Sequence, residues 1–83
     1  MKYNILIEKR ARKFISVQPK YQQQRILTAI NKLPNIGDIK PISGHDNVFR
    51  LRVGDYRVIF LKNDGILLIN VVEAGNRGQI YKK

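Results

Sequence analysis

Phe49-Arg50-Leu51-Arg52-Val53-Gly54-Asp55-Tyr56-Arg57-Val58-Ile59-Phe60 alternates apolar and basic residues on either side of a Gly-Asp pair. Alternation at period two marks a half-buried strand, and a two-residue Gly-Asp break between two such runs marks a hairpin turn. With Gly54 and Asp55 as the loop, Val53 pairs with Tyr56, Arg52 with Arg57, Leu51 with Val58 and Arg50 with Ile59. Strand side chains alternate between faces. Phe49, Leu51, Val53, Tyr56, Val58 and Phe60 therefore share a core-facing side, and Arg50, Arg52, Arg57 and Ile59 share the other. Arg52 then lies across from Arg57, and like charges so placed destabilise a sheet.

Upstream of this hairpin, residues Tyr3 to Ile7 are rich in β-branched and aromatic types and read as a first strand. From Glu8 the period changes to that of a helix. Ala11, Phe14 and Ile15 fall on one arc, with Lys9, Arg10, Arg12 and Lys13 on the opposite one. Pro19 suits the first turn of a second helix, whose Ile26, Ala29, Ile30 and Leu33 follow the spacing of a buried face until Pro34, Asn35 and Gly37 end it. The two helices form a hairpin. Residues 35–47 read as a loop. Strands follow at about 48–53, 56–62 and 66–73, with Asp64-Gly65 as a second two-residue turn and Gly75 to Lys83 beyond the last strand. The expected fold is α+β in the order β-α-α-β-β-β: an antiparallel sheet with the helical hairpin on one face and the other face open.

The chain of 83 residues makes one domain, 1–83, without repeats or linkers. At this size a domain buries about 60–65% of the surface of its unfolded chain, which permits one modest core. There are no cysteines, so disulfides and thiolate chemistry are excluded. No signal-peptide pattern and no membrane-length apolar run is present, and the expected location is the cytoplasm. Sixteen Lys and Arg against six Asp and Glu leave a net charge of +10. A small domain that repels itself so strongly implies an anionic partner: nucleic acid, a membrane surface or an acidic protein.

The candidate site residues follow from charge and register. Three converging arginines with no carboxylate beside them suit phosphate, because the guanidinium fork grips its oxygens bidentately and keeps its charge. In the tail Gly75-Asn76-Arg77-Gly78-Gln79-Ile80-Tyr81-Lys82-Lys83, Arg77 can fold back toward them. Tyr81 offers a phenol for stacking on a base or handling a proton. Lys82 and Lys83, with Lys9, Arg10, Arg12 and Lys13, are candidates for contacts to RNA backbone. His45, the single histidine, precedes the arginine strand and is a candidate acid–base group. The six acids give no metal-ligand spacing, and neither a metal nor another cofactor is expected.

Taken whole, the chain resembles the RelE/ParE superfamily of bacterial and archaeal toxins. The hairpin from Phe49 to Phe60 looks like that superfamily's best-known stretch, and Gly75-Asn76-Arg77 followed by Ile80-Tyr81 looks like the ending of its RelE branch. The resemblance implies the toxin of a type II toxin–antitoxin system, a ribosome-dependent endoribonuclease that cuts mRNA in the A site. Its implied partners are a cognate antitoxin, the ribosome and mRNA, with no membrane. Arg57 and Arg77 match the arginines that stabilise the scissile phosphate, and Tyr81 matches the C-terminal tyrosine. Arg50 and Arg52 stand where well-studied members carry lysine, and Asn76 where many carry histidine. An arginine is a poor general acid or base, so Arg50 and Arg52 are expected to act electrostatically, which leaves proton transfer to Tyr81 or His45. Two alternatives stand beside this reading: a ParE-like inhibitor of DNA gyrase, and a non-catalytic RNA- or ribosome-binding module.

Overall fold

The computed structural model describes residues 2–76. In chain order the elements are β1 (Asn4–Ile7), α1 (Lys9–Ser16), α2 (Lys20–Asn31), β2 (Asp38–Pro41), β3 (Val48–Val53), β4 (Tyr56–Asn63) and β5 (Leu68–Asn76). The α+β class and the helical hairpin agree with the sequence reading. Pro19 stands just outside α2 rather than in its first turn, and its carbonyl accepts from the amides of Gln22 and Gln23.

The sheet departs from expectation in four ways. It has five strands in the order β1-β5-β4-β3-β2, because Asp38–Pro41 inside the expected loop 35–47 pairs antiparallel with β3. Four residues at a sheet edge, ending in proline, need only one partner strand, and the lost proline donor faces away from the ladder. The sheet is mixed, because β1 runs parallel to β5 with Asn4 opposite Leu68 and Ile7 opposite Val71. The loop between β4 and β5 spans residues 64–67, since Asn63 pairs with Leu68. There the Asn63 side-chain oxygen accepts from the amides of Gly65 and Ile66, a local turn that competes with a tight two-residue hairpin. β5 also runs on through Gly75 to Asn76.

The hairpin that opened the reading has the deduced register: Val53 faces Tyr56, Arg52 faces Arg57, Leu51 faces Val58 and Arg50 faces Ile59. Because β1 and β2 lie at opposite edges, the helices between them must cross one face of the sheet. That face forms the core. Ala11 and Ile15 of α1 and Ile26 and Ile30 of α2 are buried against Leu51, Val53, Tyr56, Val58, Phe60, Ile69 and Val71. Each fully enclosed Leu, Ile, Val or Phe contributes about 1.5–3 kcal/mol of transfer free energy, set against the entropy of ordering the chain. Tyr56 packs edge-on to Phe14 with ring centres 6.0 Å apart, and its hydroxyl donates to the Gln18 side-chain oxygen at 3.0 Å. Its polar end is thereby satisfied within the helix–sheet interface. Among the described residues, no helix is long and apolar enough to cross a membrane.

Candidate functional site

Paired residues on neighbouring strands share a face, so the registers write out the open side of the sheet row by row. Nearest the Gly54-Asp55 turn, one row runs Gly75, Arg57, Arg52, Asp38 from β5 to β2. The next row runs Glu73, Ile59, Arg50, Lys40. A third holds Leu6, Asn70, Leu61 and Val48. Rows lie two residues apart, about 6.8 Å along the strands. The face thus has a basic end at the turn and a more apolar band beyond it.

The structure brings Arg50, Arg52 and Arg57 together on two adjacent rows, as the register arithmetic required. It also corrects one expectation about them, because carboxylates do stand beside the arginines. Asp38 sits opposite Arg52, and its Oδ1 lies 3.6 Å from Arg50 Nη2. The Arg50 side chain is only 14% exposed, and its Nε is enclosed without a hydrogen-bond partner among the described residues. A guanidinium this covered is costly without a counter-charge, and Asp38 supplies it. Glu73, opposite Ile59, pairs with Arg10 Nη1 at 3.7 Å. Both acids escaped the sequence reading. Asp38 is hidden because its strand lies within 35–47, a segment whose Gly37, Pro41 and Gly44 carry the composition of a loop. The signal was there in Asp38-Ile39-Lys40, a polar-apolar-polar alternation whose Ile39 packs on the core.

The other candidates divide. Lys9, Arg10, Arg12 and Lys13 are all exposed on α1, and the Arg10–Glu73 pair ties that basic helix face to the edge of the open face. His45 is exposed in the loop after β2, with its amide donating to the Ile42 carbonyl. It precedes Val48, and Arg52 lies four residues further along β3, about 13 Å at the rise of a strand. The structure therefore leaves His45 at the opposite end of the hairpin from Arg52 and Arg57. Arg77, Tyr81, Lys82 and Lys83 lie outside the described residues.

A further cation joins the turn. A Cβ built on Gly54 would meet Arg25 Nη2 of α2 at 2.8 Å, so the Arg25 guanidinium lies directly on the turn backbone. At the far end of the sheet the Tyr3 hydroxyl donates to Asp64 Oδ1, and this hydrogen bond holds the phenol above its ordinary value of 10.0. That pair is remote from the arginines, because the 64–67 loop closes the end of β4 away from Gly54.

Residues 6–81 match the model of the family described as ParE toxin of type II toxin–antitoxin system. No curated protein matches the chain. Among solved structures, the chain is similar to a chain of the archaeal RelE–RelB complex from Pyrococcus horikoshii OT3, at 28% identity, with 95% of this chain and 99% of that one covered and a TM-score of 0.78. It is also similar to a chain of the RelB–RelE antitoxin–toxin complex from Methanococcus jannaschii, at 30% identity, covering 92% and 94% with a TM-score of 0.74. The isolated E. coli RelE toxin shares the fold at 17% identity, covering 95% and 90% with a TM-score of 0.72.

Proposed function

The chain belongs to the RelE/ParE family of type II toxin–antitoxin toxins, and from that premise we propose that it is a ribosome-dependent endoribonuclease that cuts mRNA in the A site. The observation that carries this reading is the convergence of Arg50, Arg52 and Arg57 on one open face, with Arg52 and Arg57 in direct register. A group of like charges held together in the free protein is relieved when a polyanion bridges it.

The chemistry that fits is transphosphorylation. The 2′-hydroxyl of the substrate attacks the adjacent phosphorus, and the bond to the 5′-oxygen of the next nucleotide breaks. The products are a 2′,3′-cyclic phosphate and a 5′-hydroxyl end. The proton lost from the 2′-hydroxyl is balanced by the one gained at the leaving 5′-oxygen. Negative charge builds on the non-bridging oxygens as phosphorus becomes five-coordinate, and donors fixed beforehand at that place supply much of the rate. Arg57, Arg50, Arg52 and Arg77 are assigned that role. Tyr81 is assigned the proton work, and His45 stands as a second candidate for it. The basic face of α1, with Lys82 and Lys83, binds RNA backbone. Relatives in RelE–RelB complexes support an antitoxin as the protein partner of this chain.

The test is to incubate the purified protein with translating ribosomes and map new 5′ ends. Cleavage at A-site codons is expected from the wild type, and its loss from an Arg57→Ala/Tyr81→Phe variant. Equal patterns from the two would overturn the reading. The family model that matches is that of ParE toxins, which favours one other activity, inhibition of DNA gyrase. Loss of supercoiling with intact transcripts would establish that instead. A non-catalytic ribosome-binding module would show salt-sensitive binding, intact transcripts and unaffected supercoiling.

A further inference from the structure

We propose that Asp38 is a positioning residue of the arginine face, a built-in anion that holds Arg50 in place and competes with RNA phosphate for it. The proposal rests on the ribonuclease reading and adds a residue that neither charge pattern nor resemblance singled out.

Three observations carry it. The first is place: β2 sets Asp38 in register with Arg52, and its carboxylate reaches diagonally to Arg50, so one acid touches the field of both cations. The second is the asymmetry of the pair. The Arg50 side chain is 14% exposed, whereas that of Asp38 is 52% exposed, so the cation is embedded in the sheet while the anion meets solvent where a phosphate would arrive. The third is geometry. At 3.6 Å the contact is longer than the 2.7–2.9 Å of a charge-assisted hydrogen bond, and Arg50 Nε has no hydrogen-bond partner among the described residues. Arg50 is therefore held by an ion pair loose enough to be exchanged for phosphate oxygens.

The consequence is a balance. In the free protein Asp38 offsets part of the self-repulsion of the arginines and keeps the Arg50 side chain aimed. In the complex the same carboxylate repels the incoming phosphate, and binding must detach Arg50 from it. Removing the charge at Asp38 should tighten binding while spoiling the aim. A salt bridge with only a fold-stabilising role would change neither.

The experiment compares wild type, Asp38→Asn, Asp38→Ala and Asp38→Glu. The probe is a short single-stranded 2′-O-methyl RNA, which lacks the attacking hydroxyl and cannot be cut; circular dichroism confirms that each variant is folded. Asp38→Asn is expected to bind several-fold tighter at low salt. Its plot of log K against log salt should steepen by about 0.7, the increment for one more phosphate contact on a single strand. In the ribosome assay its kcat should fall while its KM does not rise, and Asp38→Glu should restore both properties. Should Asp38→Asn prove unfolded, Asp38→Ala is read by the same criteria. Wild-type affinity and slope in the neutral variants overturn the proposal alone. Failure of the wild type to bind the probe overturns this proposal alone, whereas failure of the wild type to cut mRNA in the ribosome assay overturns the ribonuclease reading, and this proposal with it.

Discussion

Replacing Gly54 by alanine should destabilise the protein without altering the chemistry of the folded molecule. Gly54 has φ +59, and Asp55, the second turn residue, is not among the positive-φ positions. A positive φ at the first position alone is the pattern of a type II′ turn, which takes glycine there. An L-residue in that region costs about 1–2 kcal/mol through contact of its Cβ with the backbone. The added methyl would also meet Arg25 Nη2 at 2.8 Å, but that atom is the far end of a flexible side chain and can swing aside. The backbone term therefore dominates. For a domain of this size, 1 kcal/mol corresponds to a shift in Tm of about 4–8 °C, so Gly54→Ala should melt roughly 5–15 °C below wild type. D-Alanine at the same position, introduced by chemical ligation, adopts positive φ without strain and should recover most of the loss. RNA affinity per folded molecule should be unchanged, because Arg52 and Arg57 keep their register. A Gly54→Ala protein that melts with the wild type, or a D-alanine protein no better than the L form, would refute this account of the turn.

Gly37 sets up a second test. Its φ is +138, and a Cβ there would lie 2.8 Å from the Cδ1 of fully buried Leu51. Gly37→Ala and Leu51→Ala should each destabilise, the latter by about 2–5 kcal/mol. In the double mutant the removed leucine makes room for the new methyl, so denaturant titrations should give a sum short of additivity by at least 0.5 kcal/mol, in the range of about 0.5–3 kcal/mol for contacting residues. A third test concerns pH. Ionising Tyr3 would cost its hydrogen bond and set a phenolate against Asp64, so the folded state holds that proton more tightly than the unfolded chain. The stability this confers is complete below pH 10 and is lost as pH rises through the raised native value. Between pH 9 and 11 the wild type should therefore lose more stability than Tyr3→Phe, and parallel losses would exclude the effect.

The hairpin was legible from sequence because two local facts sufficed: a turn of fixed length and a side-chain period of two. A slip of one residue would carry Arg57 into the core and Val58 out of it, so burial enforces the register that the turn proposes. The helices were legible for a similar reason, with Ala11, Ile15, Ile26 and Ile30 at helical spacing and all buried. What escaped the reading depends on partners distant in the chain. β2 is four residues long and owes its existence to the edge of β3. The parallel docking of β1 on β5 leaves no trace in either strand alone. The 64–67 loop follows from the Asn63 side chain capturing two amides, a choice that the Asp64-Gly65 pair does not announce. The site inherited these gaps. The three arginines came from the hairpin, while Asp38 came with the missing strand and Glu73 with the bulge between Ile59 and Phe60 that sets it opposite Ile59.

The pairing of β1 with β5 also bears on when the protein can exist. Asn4 must find Leu68, and the Glu8 amide must find the Val71 carbonyl, across nearly the whole length of the chain. Contacts so distant raise the contact order and slow folding, since the loop entropy is lost before the contacts return anything. The β3–β4 hairpin closes locally and early, whereas the first strand to be synthesised waits for the last. Vectorial synthesis therefore cannot complete this sheet on the growing chain until Asn76, which pairs with Tyr56, has been added. The ribosome finishes making β5 before the molecule can close the sheet on which its arginine face is built.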